Sequence, residues 1–239
     1  MILKLFFAQA KKTCGYPFRS PAGYQLAGVA VFFALILYAS LSFSVTPPAE
    51  LTQTELAKLT NKELIIHSKE IPGRPWPEIT IFALIDVLPV EAAALFSNYQ
   101  DQKIYIPDLI KSDPVKKISE NETIVDFEMH TPWPLANSKY STGNVFKRLE
   151  NNGYEISWYL VKSDSLIDSK GMVQFILYEK KTLMMYKSLI YPDSRFASIF
   201  SSKAESGMSK TVQAIVTYFE ETKKKNPEKI QKLISSLPK

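Results

Sequence analysis

Few side chains in this sequence have the chemistry of a metal site or a catalytic nucleophile. The chain contains one cysteine, Cys14, and two histidines, His67 and His130. One thiol excludes a disulfide framework and a zinc site built on several thiolates, and two histidines argue against a multi-histidine metal centre. His67 follows two isoleucines on a predicted strand, and His130 lies on the outward side of another, beside Asp126 and Glu128. We therefore interpret both histidines as structural or surface residues.

The motifs of the common catalytic classes are also missing from the sequence. It has no Ser-His-Asp order, no glycine-rich phosphate loop and no paired carboxylates inside an apolar segment. Tyr186, at a predicted inward position, is a candidate proton donor, although a buried tyrosine more often serves packing. The sequence thus predicts no catalytic residue, no metal and no cofactor, and it favours a binding protein over an enzyme.

Positive charge is concentrated at the N-terminus. The 239 residues carry a formal net charge of +5, yet four basic residues precede position 26 and no acidic residue occurs before Glu50. From residue 45 onward, 25 basic residues face 24 acidic ones. Such a nearly neutral body argues against a nucleic-acid partner. The composition, 46% hydrophobic and 22% charged, is typical of a globular chain of one or two domains.

An uncharged segment, residues 24–49, follows the basic start. Its apolar part suits the hydrophobic region of a signal peptide, and the whole run reaches the roughly 20 residues that span a bilayer. The positive-inside bias then predicts that the body is exported across the cytoplasmic membrane. We divide this region into a basic cytoplasmic part, 1–25, and a signal peptide or membrane anchor, 26–44. The body is either anchored by 24–45, facing the periplasm or another extracytoplasmic space, or released there by cleavage near Ser42–Val45.

Helical segments are predicted at both ends of the body and within it. A linker and a short helix occupy 45–61, and a second helix begins at Pro89. A short helical or turn segment runs through 101–110. One long helix, 196–224, is indicated by apolar residues at steps of three or four. A basic tail, 226–239, closes the chain and could add one or two amphipathic helical turns.

Strand-like segments make up most of the remainder. They are 63–69, 78–86, 113–119, 122–131, 138–149, 153–162 and 171–191, the last divided into a hairpin at 179–181. On four of them, alternating apolar and polar residues predict which side chains face inward. These inward residues are Val125, Phe127, Met129, Tyr154, Ile156, Trp158, Leu160, Val173, Phe175, Leu177, Met184, Tyr186, Ser188 and Ile190. A face so rich in aromatics and methionine is typical of a packed core or of a cavity for an apolar ligand, and the pattern alone favours the core.

The order of the elements and one turn resemble a known family. Two strands, two helices, antiparallel strands and a long terminal helix are similar to the helix-grip architecture. The segment Met129-His-Thr-Pro-Trp-Pro-Leu-Ala-Asn-Ser-Lys-Tyr140 resembles the START (steroidogenic-acute-regulatory-related lipid transfer) family of the SRPBCC superfamily, which also holds polyketide cyclase and coenzyme-Q-binding domains. Four further segments resemble the family's opening strand, first helix, following segment and terminal helix, namely 64–67, 89–96, 105–107 and 207–211. The resemblance covers about residues 62–225.

Two departures from the family pattern are visible. The family tends to carry an Arg-Asp pair after the Pro-Trp-Pro turn, where this chain has Ser138 and Lys139. A tryptophan expected near residue 104 is replaced by Ile104 or Tyr105. Contacts that depend on the family's arginine are therefore not expected here.

The resemblance implies an α+β fold in which a curved antiparallel sheet wraps around a long C-terminal helix. It also implies an internal cavity that holds a lipid, a sterol, a quinone or a polyketide-like molecule. Trp133 of the turn, with Phe200, Met208 and Ile215 of the terminal helix, completes the predicted cavity lining. The Trp133 turn, or the loop around Pro192, is the expected gate to this cavity.

Three functions remain open on this fold. The first is binding, and possible transfer, of a hydrophobic ligand near the membrane in which the N-terminal segment lies. The second is a polyketide cyclase or aromatase-like enzyme, and the third is an interaction scaffold with a closed interior. The lysine run 223–225 is consistent with contact to anionic lipid headgroups or with a solvated helix end, and the helix dipole favours the latter.

Overall fold

The computed structural model describes residues 51–133, 136–193 and 204–238. The predictions for the segments before residue 51, and for Phe200 at the start of the terminal helix, fall outside these ranges. Within the three ranges, no helix combines the length and the apolarity that crossing a bilayer requires.

The described residues form eight strands and five helices, with a 3₁₀ turn at Tyr99–Asp101. In chain order they are α1 (Gln53–Thr60), β1 (Ile65–Lys69), β2 (Glu78–Ile85), α2 (Pro89–Ser97), α3 (Gln102–Tyr105), β3 (Leu109–Lys117), β4 (Glu122–Met129), β5 (Ser138–Arg148), β6 (Tyr154–Ser163), β7 (Leu166–Tyr178), β8 (Lys181–Pro192), α4 (Ala204–Lys225) and α5 (Pro227–Ser235).

Local signals in the sequence fix the starts of the first two helices. At α1 the backbone N–H of Thr52 donates to Glu55 Oε2 at 2.8 Å, and the Thr52 hydroxyl accepts from the N–H of Glu55. At α2, Pro89 occupies the first turn and the N–H of Leu88 donates to Glu91 Oε2 at 2.7 Å. Both starts thus satisfy N–H groups that a helix leaves unpaired.

All eight strands join in one antiparallel sheet with the order β1-β2-β8-β7-β6-β5-β4-β3. The pairing of β2 with β8 places an early strand beside the last one, so the long β3–β8 meander returns to its start. The sheet curves around α4, which confirms the predicted α+β helix-grip fold.

Strand β2 explains why helices lie on both faces of the sheet. Seven of its eight residues are buried, so neither face of this strand meets solvent. On the outer face, Leu56 and Leu59 of α1 pack near Phe82. On the inner face, Ile81 belongs to the main core, together with residues of α2, α4 and α5 such as Phe219. A nearly continuous apolar strand is what such two-sided burial requires.

The C-terminal segment is more regular than the sequence indicated. Residues 227–235, expected as a basic tail, form the helix α5, which Asn226 caps by accepting from the N–H of Lys229 at 3.1 Å. Ile230 is 1% exposed within the main core, and α5 packs against α2. An apolar stripe of Ile230, Leu233 and Ile234 at helical spacing gives the physical reason, because it buries one face of a short helix.

Two strands begin earlier than predicted. β3 begins at Leu109 instead of 113, since Leu109 is buried against Val125 and Phe127. β7 begins at Leu166 instead of 171, because the Ser163 hydroxyl accepts from the N–H of Leu166 at 2.9 Å and shortens the preceding turn. The turns before β3 and β7 are thus shorter than the amino-acid composition of these segments indicated.

Candidate functional site

The inner face of the sheet is filled at one end and hollow at the other. At the filled end, α2 and α4 pack on residues such as Phe175 and Met184, which are fully buried. At the other end a cavity of about 560 Å³ remains between the sheet, residues 102–109 and the first two turns of α4. This volume lies within the roughly 300–1,000 Å³ typical of small-molecule sites.

A second pocket, of about 230 Å³, lies on the surface between the start of β1, β2 and α4. Its lining includes Lys62 and Glu220, and Lys62 Nζ lies 3.3 Å from Glu220 Oε2 and 3.3 Å from Asp86 Oδ2. Lys181 Nζ lies 2.8 Å from Asp86 Oδ1, so two lysines neutralise the two carboxylates. The larger, mostly apolar cavity is therefore the candidate functional site.

A row of residues that pair across the sheet shapes the middle of the cavity. Asn144, Trp158, Gly171 and Ser188 are successive partners on β5, β6, β7 and β8. The indole of Trp158 lies over Gly171, where an added Cβ would come within 2.3 Å of Trp158 Cζ2 and 2.4 Å of the Lys187 carbonyl oxygen. Glycine at this position thus lets the indole lie flat across the sheet and line the cavity.

Aromatic rings hold two tyrosines at the cavity. Tyr140 of β5 stacks on Phe127 with ring centroids 5.2 Å apart, and Tyr186 of β8 lies 5.3 Å from Trp158. Burial raises the pKa of Tyr186 to about 12, and burial, with a smaller contribution from nearby Tyr186, raises the pKa of Tyr140 further. Both phenols therefore stay protonated at neutral pH.

The buried polar lining is uncharged throughout the described residues. Strand β5 contributes Ser138, Thr142 and Asn144, each less than 9% exposed. The Asn144 amide donates to the Thr142 hydroxyl at 2.8 Å, and the Ser138 hydroxyl bonds that of Ser165. These hydrogen bonds satisfy some of the buried polar groups within the sheet itself, so those groups do not need water as a partner.

Charged side chains lie at the mouth of the cavity. Asp108, His130 and Lys210 line it and are exposed. The N–H of His130 donates to the Asp108 carbonyl oxygen at 2.7 Å, which ties the end of β4 to the segment before β3. His67, the other histidine, lies away from the cavity, with Nε2 2.8 Å from Glu55 Oε1 and its ring packed edge-on against Phe82.

Seven of the residues predicted to face inward do line the cavity, namely Phe127, Met129, Trp158, Tyr186, Ser188, Ile190 and Met208. A second group is buried in packed clusters instead: the main core holds Ile156, Val173, Phe175, Met184 and Ile215, with Tyr154 packed against it, and a separate cluster holds Val125 with Leu109 and Phe127. This placement corrects the prediction for the second group. Alternation identifies the face of a strand, but it does not tell whether a helix covers that part of the face.

Three other predicted residues also lie off the cavity. Trp133 is 91% exposed, because it belongs to a turn beyond β4 where strand alternation no longer sets the side-chain direction. Leu160 and Leu177 are half-buried and do not line the cavity. A register shift between Ser141 and Thr142 interrupts the alternation opposite Leu160, and Leu177 lies near the β7–β8 hairpin.

The sequence prediction missed most of the polar wall. Ser138, Tyr140, Thr142 and Asn144 alternate on β5 at inward positions, but polar residues give no signal to a search for apolar alternation. The pairing of β5 with β6 would have identified these residues. Asn144 lies opposite Trp158, and the side chain of Trp158 was predicted to point inward. The prediction also missed apolar lining just before and at the start of β3, such as Ile106 and Leu109.

Known proteins share this fold without close sequence similarity. No protein-family profile matches the sequence, and no curated protein matches it either. Among solved structures, the StAR-related lipid transfer protein of Xanthomonas axonopodis has a TM-score of 0.60 at 12% identity, over 65% of this chain and 93% of its own. Human StAR-related lipid transfer protein 5 has a TM-score of 0.53 at 8% identity, over 81% and 96% of the two chains.

An enzyme also appears among the matching structures. The Zhui aromatase/cyclase of Streptomyces sp. R1128 has a TM-score of 0.50 at 7% identity, over 61% of this chain and 94% of its own. At these identities the likeness shows the fold alone. The described part of the chain accordingly has a START-like, helix-grip fold.

Proposed function

We propose that this protein binds a hydrophobic molecule, such as a lipid, a sterol or a quinone, inside the cavity of its START-like domain. The observation that carries the proposal is a hollow of about 560 Å³ on a sheet face that helices fill elsewhere. A packed core leaves few voids larger than a water molecule, so a hollow of this size points to a ligand. The third candidate function, a scaffold with a closed interior, finds no support in this geometry.

The lining supplies an adequate driving force. It contains large apolar groups such as Phe127, Trp158 and Met208, and apolar burial contributes about 25 cal/mol per Å². A ligand that buries on the order of 300 Å² of apolar surface would gain roughly 7–8 kcal/mol before the cost of association. The few polar groups of β5 and β8 would then orient the ligand.

The same lining supports a carrier over a cyclase. Cyclisation needs an acid or base with a suitable pKa held at the reacting atoms. In the described lining, the carboxylate, imidazole and amine side chains, which are Asp108, His130 and Lys210, are exposed at the mouth. The deep phenols of Tyr140 and Tyr186 have raised pKa values and do not ionise at neutral pH.

Transfer near a membrane follows from the N-terminal sequence. The basic start and the apolar run 26–44 support export, with the body either tethered at the outer side of the cytoplasmic membrane or released there. A tether would keep the cavity close to its lipid source. Ligand transfer between membranes is the corresponding activity.

Blocking the cavity tests the proposal. Ser188 points into the hollow from β8 and is 4% exposed, so Ser188→Trp should fill the site without disturbing the packed end. We expect native mass spectrometry of the full-length protein to show a co-purified apolar molecule, with occupancy reduced at least about tenfold in Ser188→Trp.

A neighbouring position provides the matched control. Lys187 is adjacent on β8 and faces the other side of the sheet, so Lys187→Trp should keep full occupancy. Circular dichroism would establish that both variants fold. Equal occupancy in the two variants, or no bound molecule in the wild type after exposure to lipids, sterols and quinones, contradicts the proposal.

A further inference from the structure

Two tyrosine hydroxyls reach the cavity from separate strands. Tyr140 extends from β5 and Tyr186 from β8, and both rings are wedged against aromatic neighbours, Phe127 and Trp158. Packing thereby fixes the direction of each ring and the position of each hydroxyl. The two hydroxyls are near enough for Tyr186 to influence the ionisation of Tyr140.

Neither hydroxyl forms a hydrogen bond with another described residue. The same holds for the hydroxyl of Ser188, two residues from Tyr186 on the same face of β8. Oxygen Oδ1 of Asn144 accepts no bond either within the described part of the chain, whereas its amide nitrogen donates to Thr142. These groups line the cavity and have no protein partner among the described residues, so they are available to a polar group of the occupant.

The charge of that partner is restricted by the surrounding lining. Within the described lining the charged side chains are exposed at the mouth, the buried polar residues are serine, threonine, asparagine and glutamine, and Tyr140 and Tyr186 are half-buried. An ionised group placed at this depth would lose its hydration without meeting an opposite charge. A neutral group loses much less, and protonated phenols can both donate to it and accept from it.

We propose that the ligand is a neutral amphiphile whose buried end carries a hydroxyl or carbonyl oxygen, bound by Tyr140, Tyr186 and Ser188. This inference rests on the proposed function and adds the class of ligand. It separates sterols, quinones and fatty alcohols or ketones from lipids whose buried end is ionic. It also assigns the two phenols a role in specificity instead of packing.

Competition between ligands that differ only in the polar group tests this inference. Two series are offered to the delipidated full-length protein in an amphipathic polymer, one on a sterol skeleton and one on an octadecyl chain. Each series contains the hydroxyl, the ketone, the sulfate and the plain hydrocarbon. Native mass spectrometry measures occupancy, and Ser188→Trp provides the background of binding outside the cavity.

The wild type should take up the hydroxyl and ketone forms about tenfold more than the hydrocarbon or the sulfate in at least one series. The double variant Tyr140→Phe/Tyr186→Phe keeps both rings, so it should bind the hydrocarbon as before and reduce the preference to within about twofold. Tyr159, on the outer face, donates to Glu122 at 2.6 Å. Tyr159→Phe is therefore the matched control and should keep the full preference.

The outcomes distinguish this inference from the proposed function. Equal uptake of hydroxyl and hydrocarbon forms, preference for the sulfate, or an unchanged preference in the double variant overturns the inference while cavity binding stands. Uptake of a co-purified lipid but of no member of either series overturns it as well. If no molecule binds in excess of the Ser188→Trp background, the proposed function itself fails.

Discussion

At the residue scale, the shape of the cavity depends on one missing side chain. Gly171 lies between Trp158 and Ser188 in the cross-strand row, and the indole occupies the space that a Cβ would need. Because the Lys187 carbonyl oxygen is as close as the ring, a larger residue would displace backbone as well as side chain. The position of the Trp158 ring in the cavity thus depends on a glycine on the adjacent strand.

Alanine at position 171 should therefore be harmful. We expect Gly171→Ala to destabilise the fold by about 1–3 kcal/mol, as overpacking does, and to weaken ligand binding. Gly207, in the exposed part of α4, has no atom within 4 Å of an added Cβ. Gly207→Ala should stabilise the protein by up to about 1 kcal/mol through helix propensity. Urea unfolding measures the stability of both variants. A Gly171→Ala variant as stable as the wild type would show that the Trp158 side chain leaves room for a Cβ at position 171.

A second residue-scale feature links the first helix to the first strand. Glu55 accepts from the backbone N–H of Thr52, and its other oxygen lies 2.8 Å from His67 Nε2. The Thr52 bond first, and the His67 bond after it, lower the pKa of the Glu55 carboxyl from 4.5 to about 2. A lowered pKa means that the ionised form stabilises the folded state.

The stability should accordingly change with acidity. The contribution of Glu55 is complete above pH 4.5 and is lost as the pH falls toward 2. We expect the urea midpoint of the wild type to exceed that of Glu55→Gln at pH 7, and the difference to shrink progressively in acid. A difference that stays constant from pH 7 to pH 2 would mean that the charge has no part in the effect.

At the element scale, the terminal helix α5 connects three parts of the inner layer. Lys229 lies 2.5 Å from Asp101 of the 3₁₀ turn, and it donates to the Tyr218 hydroxyl of α4 at 3.0 Å. The Tyr218 hydroxyl in turn donates to Asp101 at 3.0 Å. The linked segment 99–105 leads directly into the residues before β3 that form one wall of the cavity. The network therefore holds α5 and that wall on the same side of α4.

Truncating the buried residue of α5 measures this role. Ile230 is 1% exposed, so Ile230→Ala should lower the free energy of unfolding by about 2–5 kcal/mol. Ile104 is 64% exposed on α3, so the same substitution there should change it by less than about 0.5 kcal/mol. Thermal or urea unfolding compares the two. If both variants are equally stable, the burial of Ile230 contributes nothing to the stability of the fold.

At the scale of the whole molecule, the fold separates stability from binding. α2 and α4 fill one end of the sheet with a core that includes Phe175 and Phe219, and the other end keeps the hollow. Substitutions at the packed end are expected to act on unfolding, and those at the hollow end on ligand uptake. This division is why the Ser188→Trp and Ile230→Ala experiments report on different properties.

Export of the whole protein is the remaining prediction at this scale. Because a basic start precedes the apolar run 26–44, a C-terminal alkaline phosphatase fusion should be active and a green fluorescent protein fusion dark. Deletion of residues 1–44 should reverse both reporters. N-terminal sequencing of the exported product then separates a retained anchor from cleavage near Ser42–Val45. Fluorescence of the full-length fusion would contradict export.

Much of the fold could be predicted from the sequence, because local sequence patterns specify many of its helices and strands. The capping pattern at Thr52, the proline at position 89 and the strand alternation from residue 122 onward all correspond to observed elements. The early start of β3 could not be predicted in the same way, whereas α5 has a local apolar stripe and was indicated only as one or two turns. Short elements rely on contacts with distant residues, as Leu109 does with Val125, and such contacts leave no local period.

The amino-acid sequence by itself determined which side chains of β4, β6, β7 and β8 face inward, since neighbouring residues of a strand must point to opposite faces. Only the tertiary structure decided which of them meet a helix and which meet the hollow. Met184 is buried under the packed end, whereas Tyr186 and Ser188, two and four residues along the same face, line the cavity. The physical reason is that alternation fixes direction, while the space above a strand depends on where α2 and α4 cross it.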